Sequence, residues 1–195
     1  MPWPAATSRS ADQRLDPAGR QLGLYVFLAS LAALFLATLA AVLITRLEAR
    51  NWPSERLVPL RPTLFAATAL LALTSAALEY ARRGLKANRE RALQSGLWVA
   101  LGCALLFLSL QTRNFVRAWN AIDAFDNLYA FSFSLITGVH ALHVIGGLVP
   151  LCWVMVRASR REYSSSRSQG VLFCAQYWHF LGLVWLVILA VLLAI

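Results

Sequence analysis

Five apolar runs, each about as long as a membrane is thick, constrain this chain more than any other feature of its sequence. The runs cover approximately residues 22–45, 63–81, 92–112, 128–156 and 171–195. A helix needs about 20 mostly apolar residues to cross the hydrocarbon core, because each residue rises by about 1.5 Å. Lipid offers the backbone no hydrogen-bond partner, so each run must satisfy its own backbone as a helix. The sequence therefore predicts an all-α polytopic membrane protein, a bundle of five transmembrane helices over residues 22–195.

The composition excludes other classes of protein. The 195 residues are 59% hydrophobic and 14% charged, whereas soluble domains are about 45–50% apolar and about 25% charged. The net charge is +9, but the basic residues fall in short clusters between the apolar runs. A nucleic-acid-binding module would gather them on one wetted surface. We therefore expect no nucleic-acid partner, and we exclude a soluble enzyme and a disordered tail.

The basic residues also predict the orientation in the membrane. Residues 1–21 form a predicted polar N-tail, which lacks the separate apolar core of a signal peptide. This tail and the second and fourth connections carry twelve Lys and Arg, against six in the first and third connections. Short loops rich in Lys and Arg stay in the cytoplasm. The N-terminus is thus predicted to be cytoplasmic and the C-terminus to lie on the opposite face.

All three histidines lie inside predicted spans, His140 and His143 in the fourth and His179 in the fifth. Polar side chains at this depth usually face the interior of a bundle and mark functional positions. One interpretation is a metal or haem site completed by His179; the other is an interhelical hydrogen-bond network without a cofactor. A metal site needs three or four ligands, and no Asp, Glu or paired Cys near these histidines in the sequence supplies the remainder, since Glu79 only borders the core of the second span. The second interpretation is favoured.

Other polar and small residues in the spans are interpreted structurally. Glu79 lies four residues before Arg83, which predicts an ion pair at the membrane interface. A proton relay would need further carboxylates within the spans. Small residues in the fourth span, including Gly138 and Gly147, predict close contact with neighbouring helices or with a partner. The three cysteines lie on three different spans and are interpreted as unpaired packing residues.

Two motifs in the last spans resemble those of a known family. Residues 137–147 read TGVHALHVIGG, beginning at Thr137, and residues 177–185 read YWHFLGLVW. Together they resemble the signatures of the haem-copper terminal oxidase subunit III family, and the resemblance covers about 175 residues in its five-helix bacterial form. The sequence departs from the family at Leu31, Asn114 and Gly182, where carboxylates are usual. The resemblance therefore does not imply, at these three positions, the carboxylate roles of ordering lipid headgroups or assisting proton uptake.

The resemblance implies a non-redox accessory subunit of a respiratory oxidase in the bacterial cytoplasmic membrane. Haem and copper would lie in subunit I, a direct partner, and the choice between cytochrome c and quinol as electron donor would belong to subunits I and II. This chain would bind no metal and have no catalytic centre of its own. It would support assembly, stability and phospholipid binding. We hypothesise a seam that joins the last two helices and holds bound lipid, formed by His140, His143, His179, Trp178 and Trp185 with Thr137, Gly138 and Gly147.

Three alternatives remain at this point. The first is a nitric-oxide-reductase-associated protein, since those proteins resemble the same family. The second is a small membrane cytochrome b that uses His179 with His140 or His143. The third is a small transporter, although the spans show no clear inverted repeat or broken helix.

Overall fold

The structure, a computed structural model, describes residues 17–49, 61–121, 128–164 and 168–194. Five helices account for nearly all of them: α1 (Pro17–Glu48), α2 (Arg61–Lys86), α3 (Glu90–Ala121), α4 (Leu128–Ser159) and α5 (Gln169–Ala194). Each helix contains a stretch long and apolar enough to cross a membrane. The described ranges contain no strand. The prediction of an all-α membrane protein with five spans is confirmed.

The helices begin earlier or end later than the apolar runs. Helix α1 begins at Pro17, so residues 17–21 of the predicted N-tail are helical, and the rest of that tail lies outside the described residues. Helix α3 continues nine residues past the predicted end at position 112. An apolar run marks only the part of a helix that lies in hydrocarbon, whereas backbone hydrogen bonding continues into the headgroup layer, where charged side chains are solvated.

Four of the helices form a closed ring, and the fifth lies outside it. Helix α2 packs against α3, α3 against α4, α4 against α5, and α5 returns to α2. Helix α1 packs more sparsely against α4 and α5, and its buried side chains are Phe35, Leu39 and Val42. A polar cluster inside this ring is therefore shielded from lipid on every side.

Small residues bring α2 and α3 closest together. A Cβ atom at Gly96 would lie 2.7 Å from the carbonyl oxygen of Ala77 and 2.9 Å from the amide nitrogen of Ala81. Van der Waals contact between backbones is a principal source of helix association in lipid, where the hydrophobic effect contributes little. Gly96 is thus required by the packing of this helix pair.

The connections after α2 and α4 lie at one end of the bundle. Each helix is followed, two residues after its end, by a residue at positive φ, Asn88 at 52° and Arg161 at 55°. The amide of the residue after Asn88 donates to the carbonyl of Gly84 at 2.8 Å, a typical helix C-cap. Arg161 Nε lies 3.2 Å from Glu90 Oε2, which joins the two connections by an ion pair.

Candidate functional site

His140 occupies the centre of the bundle and is enclosed by aromatic rings. Its ring centroid lies 5.4 Å from that of Trp185 on α5, 5.9 Å from Phe107 on α3 and 6.0 Å from Phe35 on α1. His140, Phe107 and Trp185 are fully buried. Four helices therefore meet at one imidazole, and we call these four residues the His140 cluster.

The imidazole of His140 has no hydrogen-bond partner for either nitrogen among the described residues. An unpaired polar group in an apolar interior costs roughly 1–3 kcal/mol. The positive edges and negative faces of the surrounding rings provide the remaining electrostatic contact. His140 is thus held in place by packing against these rings.

Trp185 connects the His140 cluster to α2. Its indole Nε1–H donates a 2.9 Å hydrogen bond to Thr68 Oγ1, and its ring packs edge-on against Phe107 at 5.3 Å. Trp178, two turns earlier on α5, is also fully buried, and its Nε1 has no partner among the described residues. Both tryptophans of the predicted seam therefore lie inside the bundle. Thr68 was not predicted as a site residue, since no sequence motif contains it.

His143 lies one turn beyond His140 and faces a different environment. Its Nδ1 hydrogen bonds to the carbonyl oxygen of Val139 at 2.7 Å, and its ring lies 4.9 Å from Phe35. The carbonyl of His143 accepts a 2.9 Å hydrogen bond from the hydroxyl of Tyr177 on α5. A Cβ atom at Gly147 would lie 2.7 Å from Tyr177 Cε1, so Gly147 makes room for this contact.

Two further residues of the predicted seam lie on the buried side of α4. Thr137 is buried, and its hydroxyl donates to the carbonyl of Phe133 one turn earlier at 2.6 Å. Gly138 faces Phe115 of α3, 3.8 Å from the place of a Cβ atom. These residues help α4 to pack against α3 and contribute no free polar group.

His179 does not join the other two histidines. It is exposed, and it lines a groove between α2 and α5 together with Thr68, Ser75 and Gly182. His143 instead lines a groove between α1, α4 and α5. The structure therefore divides the predicted seam into a buried part around His140 and a separate exposed position at His179.

This separation bears on metal and haem binding. An axial pair would need His179 to face His140 or His143 across one cavity, whereas the three imidazoles lie in three different environments. Among the described residues, no three His, Cys, Asp or Glu side chains group closely enough to hold a metal ion. The ring of His140 is surrounded by aromatic side chains, which supply no metal ligand. These residues do not fit a haem or a metal.

The three positions without the expected carboxylates have neutral surroundings. Asn114 is buried; its Oδ1 accepts a 2.8 Å hydrogen bond from Thr63, and its Nδ2 donates to Gln111 Oε1 at 3.2 Å. Leu31 lines the groove between α1, α4 and α5. Gly182 faces Ser75, whose Oγ lies 3.6 Å from the place of a Cβ atom.

Glu79 forms a tighter ion pair than the sequence predicted. Arg82 binds both carboxylate oxygens at 2.7 Å through Nε and Nη2, and the predicted partner Arg83 adds a 2.9 Å contact. Glu79 and Arg82 are about one quarter exposed, whereas Arg83 is three quarters exposed. A two-pronged guanidinium contact is geometrically specific, which favours Arg82 as the main partner.

The groove between α1, α4 and α5, here the α1/α4/α5 groove, is a wide apolar concavity. It has a volume of about 580 Å³ and is lined by aromatic and aliphatic side chains, including Phe27, Phe173 and Tyr177. Arg157 lies 4.1 Å over the ring of the lining residue Trp153, and Arg20 Nη1 donates to Gln169 Oε1 at 3.2 Å. Positive charge thus borders an apolar groove.

Tyr163, which lies outside the membrane-spanning segments, packs beside the end of the α1/α4/α5 groove that is lined by Gly170. Tyr163 packs against Gly170, where a Cβ atom would lie 2.6 Å from the tyrosine hydroxyl. Burial raises the pKa of Tyr163, so its phenol stays neutral at physiological pH. No motif in the sequence indicates this contact between Tyr163 and Gly170.

Known proteins resemble this chain along most of its length. Residues 7–194 match the family described as cytochrome c oxidase subunit III. Among curated relatives, a cytochrome c oxidase subunit 3 of Thermostichus vulcanus is 28% identical over 179 residues, which cover 90% of this chain and 87% of that protein. The cytochrome c oxidase subunit 3 of a Synechocystis strain is 28% identical, and the match covers 87% of this chain and 72% of that protein. That of Paracentrotus lividus is 33% identical, covering 70% of this chain and 52% of its own length.

Proposed function

This chain belongs to the cytochrome c oxidase subunit III family, and we propose that it works as the accessory subunit III of a respiratory haem-copper oxidase, bound directly to subunit I. The match over residues 7–194 carries this conclusion. The names of the relatives do not favour a nitric-oxide-reductase-associated protein, a cytochrome b or a transporter. In this role haem and copper lie in the partner subunits, and the described histidines of this chain stabilise its fold.

The arrangement of the described residues supports a non-redox role. Three aromatic rings enclose His140, the histidine at the centre of the bundle. His140 shares no cavity with either of the other two histidines. Such a centre fixes four helices relative to one another. We infer that the chain contributes a rigid membrane surface on which the oxidase assembles.

We further propose that the α1/α4/α5 groove holds a phospholipid. Its apolar lining suits an acyl chain, and Arg20 and Arg157 stand where a lipid phosphate would lie. Only part of the predicted seam belongs to this site: His143 lines the groove, while His140 and Trp185 are buried behind it.

The lipid proposal can be tested by filling the groove. Gly146 lines it, and Gly146→Phe would place a ring inside. We expect native mass spectrometry of the purified oxidase to show fewer bound phospholipids. Gly102→Phe is the matched control, since a Cβ atom at Gly102 meets nothing within 4 Å. Equal lipid counts in both variants and the unaltered protein would refute the proposal.

We propose that the protein resides in a bacterial cytoplasmic membrane, with its N-terminus in the cytoplasm. The twelve-to-six distribution of Lys and Arg supports this orientation.

One experiment tests the proposed function as a whole. Membranes containing the tagged chain are extracted in a mild detergent, separated by native electrophoresis, and the large subunit that migrates with the chain is identified. We expect a haem-copper oxygen reductase subunit I. Co-migration with a nitric oxide reductase, or a Soret band from the isolated chain, would overturn the proposal.

A further inference from the structure

A second concavity lies between α2 and α5, on the outside of the ring. This α2/α5 groove has a volume of about 300 Å³. Its lining follows the spacing i, i+3, i+4, i+7 on both helices, at positions 68, 71, 72 and 75 and at positions 179, 182, 183 and 186. These are the faces of two antiparallel helices, since Thr68 meets Trp185 while Ser75 meets Gly182. Two such faces form a valley that receives a third helix.

Buried Leu71 and Trp185 line the base of the valley beside several small residues, while its rims are large and apolar. Ala72, Ser75 and Gly182 allow a neighbouring backbone to approach closely. Leu183 is 61% exposed and Leu186 52% exposed. This arrangement suits a neighbouring helix that packs its large side chains against the small residues of the valley.

Two polar side chains of the valley, those of His179 and Ser75, have no hydrogen-bond partner within the described structure. His179 is exposed, and neither it nor Ser75 makes a side-chain hydrogen bond to another described residue. A polar group facing hydrocarbon without a partner is costly, so intramembrane polar residues face proteins or water-filled cavities. The face that carries His179 is therefore expected to be covered.

The depth of these groups decides what covers them. His179 lies ten residues from the first residue of a 25-residue span, and Ser75 lies thirteen residues into a span of equal length. At about 1.5 Å per residue, both are near the middle of the membrane, about 15 Å from the headgroups. A lipid phosphate does not reach that depth, whereas a side chain on a transmembrane helix does.

We propose that the α2/α5 groove is the docking site for a transmembrane helix of the haem-bearing subunit, which presents a hydrogen-bonding side chain to His179 and Ser75 at mid-membrane. This inference rests on the proposed function, which supplies the partner. A second copy of the chain fits less well, because two concave grooves facing each other leave a void.

The test uses the assembled oxidase with the full-length chain. Since one interhelical hydrogen bond in a membrane is worth roughly three- to tenfold in an equilibrium, His179→Leu should reduce retention of the chain on affinity-purified subunit I by about that factor. His179→Gln, which keeps a donor and an acceptor, should retain more. Gly182→Phe should reduce retention further by filling the valley, while Gly102→Phe, at a position of α3 that does not line the groove, should not.

Photocrosslinking provides a measurement that does not depend on these variants folding well. A photoreactive phenylalanine at position 183 should crosslink to subunit I, whereas one at the equally exposed position 106 of α3, outside the groove, should not. Normal co-purification with crosslinks only to lipid, or only to a second copy of the chain, would overturn the docking site and leave the proposed function intact. Failure of the unaltered chain to co-purify with any oxidase would overturn the proposed function itself.

Discussion

At the scale of single residues, the His140 cluster contains one polar side chain that is hydrogen-bonded and one that has no hydrogen-bond partner among the described residues. Trp185 buries a large ring and still places its only donor on Thr68. His140 buries two nitrogens without a described partner. The indole therefore connects α5 to α2 by a hydrogen bond. The imidazole contributes buried contact area, but its nitrogens lose their hydrogen bonds to water. Mutations at Trp185 and at the other polar contacts test this assignment.

The link between Trp185 and Thr68 is testable by a double-mutant cycle. Trp185→Phe and Thr68→Val should each destabilise the chain, and the double variant should lose less than the sum because the shared bond is removed once. Interhelical hydrogen bonds in membranes average about 0.6 kcal/mol, which is the coupling we expect. Reversible unfolding in detergent measures it. A coupling near zero would show that the indole acts only through its packing.

Replacement of His143 should weaken assembly of the oxidase and leave its haem spectrum unchanged. His143→Leu removes the 2.7 Å hydrogen bond to Val139 and changes the lining of the α1/α4/α5 groove. We expect severalfold less of the chain on purified oxidase, with an unaltered reduced-minus-oxidised haem spectrum. His143→Gln keeps a side-chain donor and should retain more assembly. A changed haem spectrum in a fully assembled complex would count against this role.

At the scale of helices, the sequence predicts the existence of each element better than its buried face. Twenty-residue apolar runs identify all five helices, because backbone satisfaction in lipid leaves no other economical structure. The buried face of α5 is different, since Leu183 and Leu186 are as apolar as the buried Leu181 and Ile188. When the surrounding solvent is itself apolar, hydrophobic periodicity does not distinguish interior from exterior.

This same physics explains which site residues could be predicted. The sequence predicts that His140 and Trp185 lie together, and their rings are in contact in the structure. Each is a large side chain with a polar tip, on a helix of the ring. His179 was expected beside them but lies on another face, one residue from the buried Trp178 and therefore about 100° around α5. Phe35 and Phe107 complete the cluster, although nothing in a motif distinguishes them from other apolar residues.

Helix α3 offers a matched pair of glycines that tests the α2–α3 contact. Gly96→Ala would place a Cβ atom 2.7 Å from the backbone oxygen of Ala77, which moves only if the helices separate. We expect a destabilisation of about 1–3 kcal/mol, as for overpacked cores. Gly102→Ala should be close to neutral, since a Cβ atom there meets nothing within 4 Å. Denaturant titration of both variants in one detergent compares them; equal stabilities would contradict the tight crossing.

At the scale of the whole molecule, α5 organises two surfaces of opposite character. One side of α5 borders the α1/α4/α5 groove, which is apolar and lies beside arginines near the helix ends. The other side borders the α2/α5 groove, which is smaller and has polar groups at mid-membrane. The first surface matches a phospholipid, which is charged at the membrane surface and apolar within. The second matches a protein helix, the only occupant that is polar at the centre.

The orientation of the whole chain is the last prediction, and it determines which ends of these surfaces meet the cytoplasm. Twelve of the eighteen Lys and Arg lie on the side of the N-tail and of the connections after α2 and α4. Translocating such a cluster is unfavourable, so that side should remain cytoplasmic. A fluorescent protein that folds only in the cytoplasm should be bright when fused at the N-terminus. Alkaline phosphatase, active only outside the cytoplasm, should work when fused at the C-terminus.

Internal fusions provide the control for this topology. A phosphatase inserted after residue 87, in the connection joined by Glu90 to Arg161, should be inactive. If that fusion were active and the C-terminal one silent, the chain would be inverted. Arg20 and Arg157 would then border the outer leaflet, and the phospholipid of the α1/α4/α5 groove would have to come from that leaflet. Because the α2/α5 groove has its polar groups at mid-membrane, its proposed helix partner would be unaffected by such an inversion.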